Sequence, residues 1–154
     1  MNRTSTARHS ARHAFALVLA IVTLAPLASA LDLAKATIVV RGGDVPLVEQ
    51  TAATVLAEEV QRRTGIDLPV STTWPKAGSA IALISGGSPS FAGQTRPAAS
   101  YTADPEGYTI ATSDDAVWVV GADANGVLYG VGRLLRNLDW SKGFLKLVAP
   151  LNVT

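Results

Sequence analysis

A glycine-rich run directly after a wholly apolar segment constrains this chain more than any other feature. Residues 116–120 read AVWVV, and residues 121–135 follow as GADANGVLYGVGRLL. A strand with one wet face would alternate apolar and polar residues, so residues 116–120 are predicted to form a central strand covered on both faces. Residues 125–137 are predicted to form a helix, because apolar side chains recur at three- and four-residue steps at Val127, Leu128, Val131, Leu134, Leu135 and Leu138.

The glycines of this run do not match a nucleotide-binding loop. Gly121 and Gly126 have P-loop spacing, but the Lys and Ser/Thr that hold phosphate and magnesium do not follow Gly126. No G-x-G-x-x-G fingerprint is present, and Arg133 and Arg136 exclude a membrane helix-pairing face. The glycines are therefore predicted to let the helix lie close to the sheet, a contact that must offset about 1 kcal/mol for each mid-helix glycine.

The first thirty residues have the three-part pattern of a secretory signal peptide. Arg3, Arg8 and Arg12 form a basic start, residues 14–27 are uncharged and mostly apolar, and residues 28–30 read ASA. This pattern predicts cleavage after Ala30 and export to the periplasm or the medium. An uncleaved anchor is disfavoured because the apolar stretch is shorter than the roughly 20 residues that span a bilayer.

The predicted mature chain, residues 31–154, is expected to be one domain, and its composition excludes several classes of function. It keeps ten Lys/Arg against twelve Asp/Glu, a net charge of −2, so nucleic acid is not expected as a partner, nor is a membrane after cleavage. The sequence has no cysteine, and both histidines, His9 and His13, lie in the predicted signal peptide. Ser–His and Cys–His catalytic centres and Cys/His zinc sites are therefore excluded from this domain, and no cofactor or metal site is predicted.

The remaining segments predict an α+β domain. Strands are expected at residues 36–40, 80–84, 108–112 and 116–120, with a short strand after 66–70, a hairpin turn at 113–115 and a last edge strand at 144–148. Residues 85–107 are predicted to be a surface loop. The fold class is a small mixed or antiparallel sheet with two helices packed on one face.

The first helix is predicted over residues 44–63, with Pro46 in its first turn and Gly65 ending it. Its apolar face is assigned to Val48, Ala52, Val55, Leu56 and Val60, and its wet face to Glu49, Glu58, Gln61 and Arg62.

The side chains that could carry chemistry have structural explanations, so no catalytic residue is predicted. Adjacent Glu58 and Glu59 point in different directions, and Asp is favoured in turns such as residues 114–115. Asp104 and Glu106 precede a strand, while Asp123 and Asn125 are expected to cap a helix. Three aromatic residues could stack on sugar rings, although core or rim positions are favoured: Trp74, Tyr101 and Trp140.

Several of these segments resemble a known domain. The motifs E-G-Y at 106–108, G-A-D-A-N-G-V-L-Y-G at 121–130 and L-L-R at 134–136 are similar to the small N-terminal α+β domain of secreted glycoside hydrolases. This zincin-like "domain 2" occurs in family 67 α-glucuronidases and family 20 β-N-acetylhexosaminidases. The resemblance covers nearly all of residues 31–154, and the VLYG wording favours the α-glucuronidase version slightly.

The resemblance implies breakdown of xylan or of amino-sugar glycans, with the catalytic carboxylates in a (β/α)₈ barrel in cis or on another subunit. The chain is expected to stop before that barrel, so it is interpreted as a non-catalytic accessory domain. An independent secreted glycan- or cell-wall-binding module stays open as the alternative, and a stand-alone enzyme is disfavoured. The strands are apolar at alternate positions on both faces of the sheet. The face without helices is therefore expected to be an exposed apolar patch against which the barrel packs.

Overall fold

The computed structural model describes residues 30–97 and 103–149 together with Leu151 and Val153. Its main sheet has five strands, β2 (Thr37–Val39), β3 (Val70–Ser71), β4 (Ala80–Ser85), β7 (Tyr108–Thr112) and β8 (Ala116–Gly121), in the order β3-β2-β4-β8-β7. The first four strands of this order run parallel, and β7 pairs antiparallel with β8. The α+β class, the mixed sheet and the 108–121 hairpin are therefore confirmed.

Both helices, α1 (Leu47–Thr64) and α2 (Ala124–Leu135), cover the same face of this sheet. Helix residues such as Leu56, Val60 and Val131 pack there against one parity of the strands, including Ile81 and Val119. Burying each such aliphatic side chain stabilises the fold by roughly 1.5–3 kcal/mol. β8 is buried at every position between β4 and β7, as its continuous apolar run predicts.

The other face of the sheet is also apolar, but it is not exposed. The cluster on it contains Val39, Ala80, Ala82, Ile84, Ala111, Ala116, Trp118 and Val120, all buried. Trp74 stacks on Trp118 with 5.1 Å between ring centroids, and Phe91 and Ala92 pack against the same cluster. The expected exposed patch is therefore wrong, because side chains from two of the chain's own connections cover this face.

One of those connections lies in the segment interpreted as a surface loop. Residues 85–107 contain a short hairpin, β5 (Ser90–Phe91) with β6 (Gln94–Thr95), whose side chain Phe91 is half-buried. Residues 86–97 are rich in Gly, Ser and Pro, and Phe91 is the only large apolar residue among them, so no strand pattern marks the hairpin in the sequence.

A second, antiparallel sheet packs against α1, in the order β1 (Leu31–Asp32), β10 (Phe144–Leu147) and β9 (Leu138–Ser141). β10 was expected to be an edge strand, which is wrong, since β1 and β9 pair with its two sides. Leu145 and Leu147 are buried and join the helix-side core, so this sheet extends that core.

The helix ends follow local chemistry with small shifts. α1 begins after Pro46, which occupies the N-cap position instead of the first turn, and α2 ends two residues before the predicted limit. Gly65 ends α1 in the left-handed conformation, with φ of 74°, as its position predicts.

Candidate functional site

The glycine-rich run is an interlock between the start of α2 and the turn before β7. Asp123 is the N-cap of α2, and its Oδ1 accepts a hydrogen bond from the Gly126 N–H at 2.9 Å. Its Oδ2 accepts from the Glu106 N–H at 3.0 Å, and the Ala122 N–H donates to the Gly107 carbonyl at 2.8 Å. Hydrogen bonds from Gly126 and then Glu106 lower the pKa of Asp123, so its carboxylate is committed to capping.

Three positions of this run have no room for a Cβ, two because of backbone atoms and one because of a buried side chain. A Cβ on Gly126 would overlap the carbonyl oxygen of Gly107, and one on Gly121 would overlap the Val127 N–H and the Asp123 carbonyl. At Gly130 a Cβ would lie 2.5 Å from Val119 Cγ1. Packing therefore explains the motif, as predicted, and Asn125 donates to Glu106 Oε1 at 3.3 Å beside it.

Gly132 behaves differently from these three. A Cβ there would meet only Arg136 Nη1, at 3.7 Å, which is an ordinary contact. No packing inside the described part of the domain requires glycine at this position.

An ion pair at the start of α1, between buried Glu49 and the partly exposed Arg41, is the polar cluster that sequence reasoning missed. Glu49 is 2 % exposed and accepts from Arg41 Nε at 2.8 Å, from Arg41 Nη2 at 2.7 Å and from Ser85 Oγ at 2.8 Å. The assignment of Glu49 to the wet face is therefore wrong. The hydrogen bond with Glu49 raises the pKa of Arg41.

The sequence did contain a signal for this pair. Glu49 lies three and four residues before the buried Ala52 and Ala53, on the same side of α1, and Arg41 lies two residues after the end of β2. A cavity of about 480 Å³ opens beside the pair, lined by Val40, Arg41, Gly43, Val45, Glu49, Gln50, Ala53, Thr54 and Val70. Since both Glu49 oxygens accept hydrogen bonds, the carboxylate supports the joint between β2, β4 and α1 and is not free for acid–base chemistry.

The other carboxylates singled out from the sequence do not form a facing pair. Glu58 is exposed, while Glu59 accepts from Arg62 at 2.6 Å and from Arg63 at 3.0 Å, and the hydrogen bond from Arg62 lowers its pKa. Asp114 and Asp115 are exposed in the β7–β8 turn. Among the residues that the structure describes, no group of three His, Cys, Asp or Glu side chains has metal-binding geometry.

The aromatic residues considered for sugar stacking have neighbours within the domain. Trp74 stacks on Trp118, and the Arg63 guanidinium lies 4.2 Å from the ring centroid of Trp140. Tyr101 lies outside the described residues. Neither described tryptophan therefore presents an isolated ring to solvent.

Residues 1–29, which contain nearly all of the predicted signal peptide, also lie outside the described residues. Within residues 30–97 and 103–149, neither helix is long and apolar enough to cross a bilayer.

The comparison with family models identifies the class of domain. Residues 18–145 match the model of glycosyl hydrolase family 20, domain 2. The chain belongs to this family and is a non-catalytic accessory domain of carbohydrate-degrading enzymes. Of the two families named by the resemblance, the match falls on family 20. A search of curated proteins gives no significant match.

Solved structures share the fold at low sequence identity. A GH20 β-N-acetylhexosaminidase from Streptomyces coelicolor A3(2) is 18 % identical, with a TM-score of 0.55 over 81 % of this chain and 23 % of that one. A GH20 exo-β-N-acetylglucosaminidase from Vibrio harveyi is 17 % identical, with a TM-score of 0.53 over 82 % and 17 %. A GH115 4-O-methyl-α-glucuronidase is 17 % identical, with a TM-score of 0.51 over 70 % and 14 %. The chain thus spans less than a quarter of each enzyme.

Proposed function

We propose that this chain is the exported domain that supports the catalytic (β/α)₈ barrel of a family 20 enzyme acting on amino-sugar glycans. The observation that carries the proposal is the family match across residues 18–145. The barrel is in cis or on another subunit, and it holds the reactive carboxylates.

The polar groups of the described residues favour a supporting role. Glu49 stabilises the joint of α1 with the sheet, Asp123 caps α2, and Glu59 pairs with two arginines on the surface of α1. Retaining and inverting glycosidases need two carboxyl groups facing each other across a bond, about 5–9.5 Å apart, and these three are each held by other partners.

An activity assay tests the supporting role. The purified chain is incubated with 4-nitrophenyl N-acetyl-β-D-glucosaminide, and no hydrolysis above the blank is expected. Turnover that disappears in Glu58→Gln or Asp114→Asn, two exposed carboxylates, would show that the chain is itself an enzyme and would overturn the proposal.

The substrate class follows from the family. We favour amino-sugar glycans over glucuronic acid-bearing xylan because the matched family is family 20. A glycan array with chitooligosaccharides and glucuronoxylan separates the supporting role from the alternative of an independent binding module. Strong, specific binding by the purified chain would favour the alternative.

Export is tested at the predicted cleavage site. Expression with the native N-terminus, followed by cell fractionation and N-terminal sequencing, should give a periplasmic or secreted product that begins at Leu31. A product that keeps residues 1–30 in the cytoplasm would contradict export.

A further inference from the structure

The cavity beside Arg41 and Glu49 adjoins a position where parallel sheets bind ligands. From β2 the chain passes through α1 to β3 on one side, whereas β4 connects through the β5–β7 segment to β8 on its other side. The two connections diverge at the carboxyl ends of β2 and β4, which is the usual place for a ligand crevice in an open sheet. Ser85, the last residue of β4, donates there to Glu49, and Glu49 also lines the cavity.

The size and position of the cavity suit a small molecule. Its volume of about 480 Å³ falls in the range of roughly 300–1,000 Å³ that is common for small-molecule pockets. Its lining residues come from α1, from β3 and from the segment that joins β2 to α1, and none comes from α2. The cavity is therefore at the β3 margin of the sheet, away from the glycine-rich interlock.

Arg41 has a second hydrogen-bonding edge that the domain does not use. Its Nε and Nη2 donate to Glu49 at 2.8 and 2.7 Å, which occupies one edge of the guanidinium group. Nη1 and the other N–H of Nη2 form the second edge, and they have no acceptor in the part of the chain that the structure describes. The Arg41 side chain is 35 % exposed and lines the cavity. Two parallel N–H donors of this kind fit the two oxygens of a carboxylate.

The rest of the lining favours a ligand with an apolar body. Val40, Val45, Ala53 and Val70 supply aliphatic surface, and Val70 is 51 % exposed. Covering this exposed surface with an apolar group removes both from water, which favours binding. No aromatic ring lines the cavity, so it lacks a surface on which a sugar ring could stack.

The charges around the cavity limit a ligand to a single negative charge. Arg41 is the only cation among the residues that line the cavity, and Glu49 already shares it. The exposed Asp44, directly before Val45, adds a second carboxylate to the same segment. A phosphate dianion needs more donors and more positive charge than one guanidinium edge supplies, whereas a monocarboxylate is satisfied by two N–H groups.

We propose that this cavity binds a small organic monocarboxylate, with the carboxylate oxygens on the second edge of Arg41 and the apolar body against Val45 and Val70. Because the pair of Arg41 with Glu49 joins the end of β2 to α1, a bound ligand also stabilises that joint. The inference depends neither on the catalytic barrel nor on the substrate class proposed above.

A titration of the purified chain with 4-methylpentanoate, followed by nitrogen–proton correlation NMR, tests the site. Saturable shifts are expected at the backbone amides of Arg41, Gly43 and Gln50, with a Kd of about 1 mM. The matched ligand 4-methylpentanamide has the same apolar body without the charge. It should bind at least about tenfold more weakly, because it offers one oxygen to the guanidinium edge instead of two.

Three variants locate the binding. Val70→Asp places a negative charge on the cavity wall and should raise the Kd at least about tenfold, while Val148→Asp, at an exposed valine outside the cavity, should leave it unchanged. Arg41→Lys keeps a cation beside Glu49 but loses the planar pair of donors, so the Kd should rise about fivefold. Circular dichroism of each variant confirms that it is folded.

The absence of saturable shifts up to about 20 mM carboxylate would overturn the proposal. Equal affinity for the amide, or equal effects of Val70→Asp and Val148→Asp, would overturn it as well, because neither the charge nor this cavity would then select the ligand. Tighter binding of inorganic phosphate or of N-acetylglucosamine at the same amides would overturn the assignment to a monocarboxylate. These outcomes leave the hydrolysis assay of the supporting role untouched, so the two proposals fail separately.

Discussion

The two faces of the central sheet are both buried, but different kinds of contact cover them. On the helix side, the backbone of α2 approaches the Gly107 carbonyl and Val119 so closely that Gly126 and Gly130 have no room for a Cβ. On the other side, side chains from two connecting segments cover the strands: Trp74, and Phe91 with Ala92 at the β5–β6 hairpin. The strands carry apolar side chains on both faces of the sheet. They therefore support one layer held by close backbone contact and one layer of side chains that can readjust.

The size of a side chain therefore does not measure its contribution to the stability of this domain. A side-chain layer can relax around a deletion, whereas a backbone contact cannot move without shifting a helix. Adding one methyl group on the helix side should therefore be more damaging than removing a large ring from the other side.

The largest effect is expected for Gly126→Ala. The new Cβ overlaps a backbone carbonyl oxygen, so α2 must move away from the turn before β7, and the free energy of unfolding should fall by more than about 4 kcal/mol. Soluble yield and a thermal melt followed by circular dichroism measure this loss. A variant with the wild-type midpoint would show that the interlock is loose.

The second largest loss of stability is expected for Arg41→Ala, at the edge of the sheet face that the helices cover. It leaves the Glu49 carboxylate buried without its cation, which should cost about 2–3 kcal/mol in a urea titration, less than a fully buried pair because water screens the partly exposed Arg41. The double variant Arg41→Ala with Glu49→Leu should recover much of that loss, because no unpaired charge remains buried. If the single and double variants are equally unstable, the ion pair does not explain the loss.

Trp74→Ala tests the opposite face. Its half-buried ring stacks on Trp118, and its removal should lower the free energy of unfolding by about 2 kcal/mol, since the site is only partly enclosed. Near-ultraviolet circular dichroism should lose the signal of the coupled indoles. Trp140→Ala, which leaves that stack intact, serves as the matched control.

The smallest effect is the acid dependence from Asp123. Its pKa is lowered in the folded state, so its contribution is present above the ordinary Asp value of about 3.9 and is lost as pH falls through the folded value. Asp123→Asn should lower the thermal midpoint at pH 7, because the Glu106 N–H loses its acceptor, and should flatten the further fall in acid. Asp114→Asn, in the exposed turn, is the control, and equal acid slopes for wild type and Asp123→Asn would contradict the capping role.

Much of the fold could be predicted from periodicity. The two helices, β4, the β7–β8 hairpin and the covered position of β8 follow from apolar spacing and turn residues, and Asp123 follows from capping chemistry. By contrast, β1, β5 and β6 have two residues each and are too short to show a period in the sequence. Their pairing depends on distant parts of the chain.

The candidate site was less predictable for a related reason. From the sequence alone, Glu49 is assigned to the surface. Its partners Arg41 and Ser85 are 8 and 36 positions away, and the parallel strands bring them next to it. The cover of the second face was missed because Trp74 and Phe91 lie in segments rich in turn residues. Long-range contacts of this kind leave no local pattern in a sequence.

The difference between the two sheet faces is tested most directly by one series of urea titrations that compares the free energies of unfolding of Gly126→Ala and Trp74→Ala. The added methyl group is expected to be the more destabilising change, because it overlaps a backbone carbonyl at the helix side, whereas the loss at Trp74 falls in a partly exposed side-chain layer. A larger loss for Trp74→Ala, with Gly126→Ala close to wild type, would contradict it.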